Sequence, residues 1–190
     1  MKKKILTIAA MKTKTLLTML CAIFLSCTKA VAQDYLPVKN LELEVKVGTT
    51  YPTDHLVGSK RLGVQFGVEG RRNFNDSPFD LGAELYMGAA FRHYEGEGMS
   101  HRCFSFSAFG DYNFSRGANV SPFVGIGIGL ADCNNIKGSY GTEGKSVLFT
   151  PRVGVEFSRH LRLTFDARIA RKGYNTIGLS VGYVFGGGLK

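Results

Sequence analysis

The chain has 190 residues, 44% of them hydrophobic and 24 of them glycine, and this length suits one domain preceded by a leader. Its formal net charge of +9 is concentrated at the start, because residues 1–32 contain six lysines and no acid. Residues 33–190 carry 18 basic and 15 acidic side chains, which excludes the strongly basic surface of a nucleic-acid-binding domain. We expect no nucleic-acid partner.

Residues 1–32 have the organisation of a secretory signal peptide. The lysines are followed by an apolar stretch at 15–27, which is too short to span a bilayer, and then by the small-residue site Ala30-Val31-Ala32. We therefore predict cleavage before Gln33. An uncleaved anchor is the alternative, and Met11 begins an equally good, shorter leader.

Two of the four cysteines lie in the leader and two remain in the mature chain. Cys103 and Cys133 form a candidate disulfide, because export leads to an oxidising compartment. Two free thiols are the alternative. Lipid attachment at Cys27 is a further alternative, although residues 24–26 depart from a lipobox. Residues 33–190 contain no linker or second composition block and are predicted to form one domain.

Apolar and polar residues alternate with a period of two from Leu41 onward, which is the period of a strand. No stretch has the pattern of an amphipathic helix. The eight predicted strands comprise residues 41–47, 62–69, 81–89, 104–111, 124–130, 147–157, 161–169 and 177–185. The predicted fold class is all-β, a transmembrane antiparallel up-and-down β-barrel of about eight strands over residues 40–185.

The predicted connections alternate in kind. Compact, turn-forming segments lie at 73–78, 115–122 and 158–160, and longer polar segments lie between them at 49–60, 92–102 and 132–145. The link at 171–175 is a short fourth member of the second group. Short periplasmic turns and longer outside loops have this asymmetry in outer-membrane barrels.

The two faces of the strands predict which side of the wall meets lipid. A soluble lipocalin-like barrel hides apolar side chains inside, whereas a membrane barrel turns them outward. Here the second face carries Gly, Ser, Thr and charges, so the charges are expected in the lumen as an interior ionic core. Its predicted members are Glu42, Glu44, Lys46, Glu69, Glu84, Asp111, Arg152, Glu156, Arg162, Asp166 and Arg168.

The lumen of eight strands is just wide enough for side chains to fill, which favours a packed ionic core over a conducting path. Pairing Cys103 with Cys133 predicts a register in which Asp111 faces Gly125 and Phe109 faces Gly127. Strand ends at the expected periplasmic interface carry an aromatic girdle, comprising Phe74, Phe79, Phe114, Phe157, Tyr183 and Phe185.

The last strand, 175–185 (NTIGLSVGYVF), alternates apolar residues and ends on Tyr183 and Phe185. With the segment PRVGVE at 151–156, it resembles the small, porin-like outer-membrane β-barrel proteins of Gram-negative bacteria. The resemblance implies that the last strand is the terminal insertion signal that the barrel-assembly machinery reads. Residues 186–190 follow it, and we expect them to form a short flexible periplasmic tail.

The resemblance carries no shared active site and implies a structural, surface-interaction or permeability role in the outer membrane. We expect a non-enzymatic, probably monomeric barrel in contact with outer-membrane lipid and lipopolysaccharide. Its outer segments 51–60, 92–101 and 132–144 are expected to contact a host or envelope partner, since function in such scaffolds lies on loops.

Two alternatives belong to other functional classes. The first is a narrow channel in which the charged lumen residues Glu42, Glu84, Arg152 and Arg162 act as a gate. The second is a lipid A-modifying enzyme using His101 with Ser100 or Ser105, for which no orienting carboxylate is evident. The four histidines are scattered without the spacing of metal ligands and are interpreted as surface residues, so no metal or cofactor is predicted.

Overall fold

The computed structural model describes residues 38–53, 62–74, 77–94, 97–137, 140–171 and 173–189. For residues 91–94, 97–99, 136–137 and 140–143 it describes the backbone alone. The predicted signal peptide at 1–32, and with it the alternative at Cys27, lies outside these residues, as does most of the predicted outside loop at 49–60.

Eight antiparallel strands form a closed barrel in which each strand pairs with its neighbours in sequence and β1 pairs with β8. This confirms the predicted fold class. Within the described part of the chain, no helix is long and apolar enough to cross a membrane. The strands are β1 (Leu41–Pro52), β2 (Gly63–Asn73), β3 (Phe79–Tyr94), β4 (Glu97–Asn113), β5 (Val120–Lys137), β6 (Tyr140–Phe157), β7 (Leu161–Arg168) and β8 (Thr176–Phe185).

The register of β4 and β5 is the one that the cysteines predict. Cys103 lies opposite Cys133, and towards the other end of the hairpin Phe109 lies opposite Gly127. The glycine is required there, because a Cβ atom on Gly127 would overlap the Phe109 ring. The small residue thus makes room in the lumen for the large one.

The turn end of the barrel is the end that carries the compact turns, predicted to be periplasmic. Between β6 and β7 a two-residue turn has positive φ at Ser158 (50°) and Arg159 (63°), the backbone of a type I′ turn. Neighbouring backbone stabilises it, since Ser158 N–H donates to Asn119 O (2.7 Å) and Arg159 Nε–H to Gly117 O (2.8 Å).

The opposite, outer end differs from the prediction. The segments expected as long loops at 92–102 and 132–145 are mostly strand, and the β4–β5 pairing continues to Met99 and Lys137. Sequence patterning missed this because the alternation of apolar and polar residues stops where strands leave the apolar band, whereas backbone pairing continues. A membrane crossing needs about 9–11 residues per strand, and β3–β6 have 16–18.

The tail after Phe185 is also not the flexible segment that was expected. Leu189 forms an antiparallel bridge with Val38, and Lys39 N–H donates to Gly188 O (3.3 Å). Gly186 (φ 79°) and Gly188 (φ 119°) adopt the left-handed conformations that let the chain reverse here. The two chain ends described by the structure are therefore joined beneath the barrel at its turn end.

Candidate functional site

The lumen contains a connected network of ionised side chains, which we call the lumen network. Six strands contribute to it, whereas the inward faces of β5 and β8 carry mainly glycine and serine and leave space for long side chains. All the acids and bases predicted for the interior core lie in it, together with Arg71. Its members are Glu42, Glu44, Lys46, Glu69, Arg71, Glu84, Asp111, Arg152, Glu156, Arg162, Asp166 and Arg168.

Arg152 lies at the centre of the lumen network. Its guanidinium donates two hydrogen bonds to Glu69, at 2.6 and 2.8 Å, and two to Asp111, at 2.9 and 2.7 Å. Both carboxylates are buried, and so is the arginine. Four charge-assisted hydrogen bonds in bidentate geometry are what makes a buried guanidinium tolerable away from water.

Other basic side chains link the remaining carboxylates to this centre. Lys46 Nζ lies 3.3 Å from Glu69 Oε2 and 3.4 Å from Glu84 Oε2. At the outer side Arg168 bonds Glu84 at 2.8 Å and Asp166 at 3.0 Å. The alternation of sign therefore continues along the lumen axis.

Towards the turn end, Arg162 and Arg71 continue the network. Arg162 Nη2 lies 2.6 Å from Asp111 Oδ2, and Arg71 Nη2 lies 2.6 Å from Glu42 Oε2 and 3.5 Å from Glu156 Oε2. The sequence analysis missed Arg71, because the predicted second strand stopped at residue 69. The signal was available, since residue 71 continues the inward parity of residues 65, 67 and 69.

Three guanidinium groups also lie over inward-facing aromatic rings. The arginine Cζ atom is 3.8 Å from the ring centroid for Arg152 on Phe109, 3.6 Å for Arg162 on Phe123 and 3.4 Å for Arg168 on Tyr86. Stacking against a desolvated ring adds a cation–π interaction to the ion pairs. The rings also restrict the side-chain rotamers, so the lumen network has one geometry.

A separate ion pair closes the turn end. Arg116 contacts Asp80 and donates to the backbone oxygens of Ser77 (2.6 Å) and Phe79 (2.9 Å). Asp80 also accepts a hydrogen bond from Asn113 Nδ2. Sequence patterning placed residue 116 in a solvent-exposed turn, and only the closure of the barrel brings the β4–β5 turn against the β2–β3 turn.

At the outer end the lumen changes from ionic to apolar. A disulfide joins Cys103 and Cys133, and Ala131, Leu148 and Tyr174 pack around it. Tyr174 belongs to the predicted short link at 171–175, which folds inward over the disulfide.

His101 lies inside the barrel and is only 1% exposed, which corrects its interpretation as a surface residue. Its Nδ1 atom is 2.8 Å from Asn135 Oδ1, and its ring lies 5.7 Å from that of Tyr174. Ser105 is on the same inward face but four residues away, about 13 Å along the strand, and it contacts Arg168. Ser100 is adjacent in sequence and so faces the other side of the wall. The described residues do not form the nucleophile and base pair that an enzyme of this kind requires.

The outer surface of the wall is a continuous apolar band. Leu, Val, Ile, Phe and Met side chains from all eight strands are exposed on it, for example Leu85, Phe106, Ile128 and Leu179. A soluble monomer rarely exposes so large an apolar patch. At the turn end the predicted girdle is present as ring pairs, with Tyr112 in edge contact with Phe79 and Phe114.

Tyr183 and Phe185, the residues predicted to end the insertion signal, lie outward at this end of β8 and contact each other edge to face at 4.8 Å. His160 stacks on the Tyr183 ring. A closed barrel with a charged lumen, an apolar outer band and an aromatic girdle at one end has the design of a membrane barrel.

A family model describing the outer membrane protein β-barrel domain matches residues 18–185 of the chain. The chain belongs to this family. It is accordingly a transmembrane β-barrel of the outer membrane, and its apolar band faces lipid. This confirms the resemblance seen in the last strand, the location and the assignment of faces. No curated protein matches the chain.

Solved structures show the same fold at low identity. Neisserial surface protein A superposes with a TM-score of 0.58 and is 14% identical, over 78% of this chain and 97% of that one. The N-terminal β-barrel domain of Pseudomonas aeruginosa OprF gives a TM-score of 0.46 at 16% identity, over 77% and 98%. The attachment invasion locus protein Ail of Yersinia pestis gives 0.47 at 13%, over 76% and 97%.

Proposed function

We propose that this outer-membrane barrel is a non-enzymatic scaffold whose outer hairpins contact a host or envelope partner. The observation that carries the proposal is the excess length of β3–β6. Each of these strands has about six residues more than a crossing needs, which is about 20 Å along the strand. The excess lies at the outer end, because the strands start level with their neighbours at the turn end.

The β3–β4 and β5–β6 hairpins form one four-stranded sheet above the band, which we call the outer sheet. The last described pair between β3 and β2 is Ala89 with Val64, and β6 pairs with the β7 side only up to Phe149 and Ile169. Above these pairs the outer sheet is held within itself by the pairing of β4 with β5. A sheet of this kind offers a partner a rigid face and two strand edges, which suits protein recognition.

Trimming the outer sheet tests the proposal. An Asn-Gly turn joining Phe91 to Ser100, and a second joining Asn135 to Thr142, remove both hairpins at paired positions and keep the register. We expect the trimmed barrel to insert normally and to lose adhesion to host cells or protection against serum, compared with cells that carry the intact barrel.

The matched control places the same Asn-Gly turn at the turn end, in place of residues 158–159. Gel migration before and after boiling shows whether each variant is folded, since folded outer-membrane barrels migrate differently from the boiled chain. The proposal fails if the trimmed barrel is folded in the membrane and adhesion and serum survival remain unchanged.

The filled lumen also supports a non-conducting role, with surface contacts as the function. Ionised side chains from six strands meet across it, and each is held by opposite charges. We expect the purified barrel to produce no ion steps in a planar bilayer, and a porin inserted by the same procedure to produce them. Steps from the folded barrel that change in Arg152→Ala would instead support the gated channel.

Contacts with outer-membrane lipid, with lipopolysaccharide and with the barrel-assembly machinery during insertion are part of the same proposal, as is a monomeric state. Their support is the apolar band, which is shaped for lipid, and the aromatic end of β8. The location of His101 inside the wall supports the absence of lipid A chemistry, since an enzyme acting on a membrane lipid needs its base on the lipid side.

A further inference from the structure

His101, Cys103 and Cys133 form a compact group at the outer end of the lumen, separate from the lumen network. Their imidazole nitrogen and two sulfur atoms lie within 4.8 Å of one another. The strand geometry explains this, because residues 101 and 103 share one face of β4 and the register places Cys133 directly opposite Cys103. In the oxidised protein the two sulfurs are bonded to each other.

The chemistry of the group is that of a soft-metal site. Two thiolates and one imidazole are ligands that Zn²⁺ prefers, and three protein ligands leave the fourth tetrahedral position open. A disulfide excludes this coordination, because its sulfur atoms carry no negative charge. The same three side chains therefore have two alternative states, depending on whether the sulfurs are oxidised or reduced.

Asn135 orients the imidazole as an outer-shell partner does in metal proteins. Its Oδ1 atom accepts a hydrogen bond from His101 Nδ1 at 2.8 Å, which leaves Nε2 as the basic nitrogen of the neutral ring. Asn135 occupies this position because it is the cross-strand partner of His101, two residues beyond Cys133.

The surroundings favour a bound metal over hydrated thiols. Cys133 is fully buried, His101 is 1% exposed, and Ala131, Leu148 and Tyr174 shield the group from water. Low water access strengthens the interaction of a cation with two thiolates. Cys103 is only partly buried, so a small reductant can reach the group from its side.

We propose that reduction of the Cys103–Cys133 disulfide converts the group into a site for Zn²⁺ or a similar soft divalent cation. Two small-molecule thiols supply the two electrons and two protons, so that the protein disulfide becomes two thiols and the small thiols become a disulfide. Binding of Zn²⁺ then releases the two protons from Cys103 and Cys133. The ligands are the two sulfur atoms and His101, held in place by Asn135.

The test uses the full mature chain, folded into detergent micelles with a phosphine reductant present from the start. The phosphine takes up one oxygen from water and leaves both cysteines as thiols. Co²⁺ is the spectroscopic probe, because thiolate ligands give it intense charge-transfer bands. We expect one Co²⁺ per folded chain, displacement by Zn²⁺, and no bands from the disulfide form.

Two variants separate the site from adventitious binding. We expect His101→Ala to weaken Co²⁺ binding by tenfold or more, and Asn135→Ala to weaken it by about 10–100-fold, the usual effect of removing an outer-shell partner. His160→Ala, a histidine at the turn end, is the matched control and should bind like the parent. Gel migration before and after boiling confirms that each reduced variant is folded.

Three results would overturn the proposal. The first is a folded, reduced barrel that gives no thiolate-to-Co²⁺ bands. The second is a His101→Ala variant that binds as tightly as the parent. The third is a chain that cannot fold while its cysteines are reduced, since the site would then have no folded state in which to exist.

Discussion

Replacement of Arg152 by methionine is expected to destabilise the folded barrel by about 3–5 kcal/mol, the usual cost of removing one partner of a buried ion pair. The reason is the number of groups that this guanidinium satisfies. Glu69 and Asp111 each accept two of its hydrogen bonds, and both would be left buried with reduced compensation. Lys46 and Arg162 would remain beside them as the nearest cations.

The measurement is a urea titration of the barrel in lipid vesicles, read as the fraction that keeps the folded gel mobility. Because the chain contains no tryptophan, gel mobility and far-ultraviolet circular dichroism are better readouts than indole fluorescence. Arg72→Met is the matched control, since Arg72 neighbours the buried Arg71 but is exposed. We expect this control to change stability by less than about 0.5 kcal/mol.

A triple variant distinguishes the cost of unpaired charge from the cost of lost packing. Arg152→Met combined with Glu69→Gln and Asp111→Asn removes the guanidinium together with the two charges that it neutralises. We expect it to be more stable than Arg152→Met alone, because uncharged amides cost less to bury than unpaired carboxylates. Equal stability of the two variants would show that the hydrogen bonds of Arg152 do not organise the lumen.

Leu85→Arg is expected to destabilise the barrel by about 2–4 kcal/mol, because it places a charge on the lipid-facing wall near the bilayer midplane. Leu85 is in the middle of the membrane-crossing part of β3, between Val68 on β2 and Phe106 on β4. Its side chain is half exposed on the outer surface. The cost comes from moving the guanidinium out of water into hydrocarbon.

Leu41→Arg is the matched control for depth. Leu41 begins β1 at the turn end and is 72% exposed, so an arginine there reaches the interface, and the expected cost is about 0–1 kcal/mol. The same urea titration in vesicles measures both variants. If Leu85→Arg were no more costly than Leu41→Arg, the apolar band would not lie in hydrocarbon at that depth, and the assignment of faces would be wrong.

The positions of the strands and the direction of their faces could be predicted from residue order. In a closed barrel each strand has one inward and one outward parity, so a run such as residues 41–47 places Glu42, Glu44 and Lys46 in the lumen without further information. Glycine positions helped with the register, since Gly127 fits opposite Phe109. The lumen residues were therefore predictable as a set.

The pairing within the lumen could not be predicted. Arg152 and Glu69 are 83 residues apart, and Arg168 and Glu84 are 84 apart. Several acids lie at each level of the lumen, and the choice among them depends on side-chain length, on the rings beneath the arginines and on the space left by glycines. Those are properties of the assembled barrel, and alternation of polarity does not contain them.

The outer end shows the same division for backbone structure. Alternation ends where a strand leaves the lipid, because no apolar solvent selects the outward residues there. Residues 92–94 and 140–145 consequently resemble loops in sequence, although hydrogen bonding to neighbouring strands keeps them extended. His101 was missed for a related reason, since its inward position depends on a strand that continues beyond the predicted start at residue 104.

The sequence by itself determined that this chain is a barrel with a lipid-facing wall and a charged interior, because the period of the side chains and the chemistry of each face are local properties. Only the tertiary structure decided how the lumen charges pair, how far the hairpins rise and which residues meet at the outer end. These depend on closure of the sheet, which brings residues far apart in the chain to the same level of one lumen.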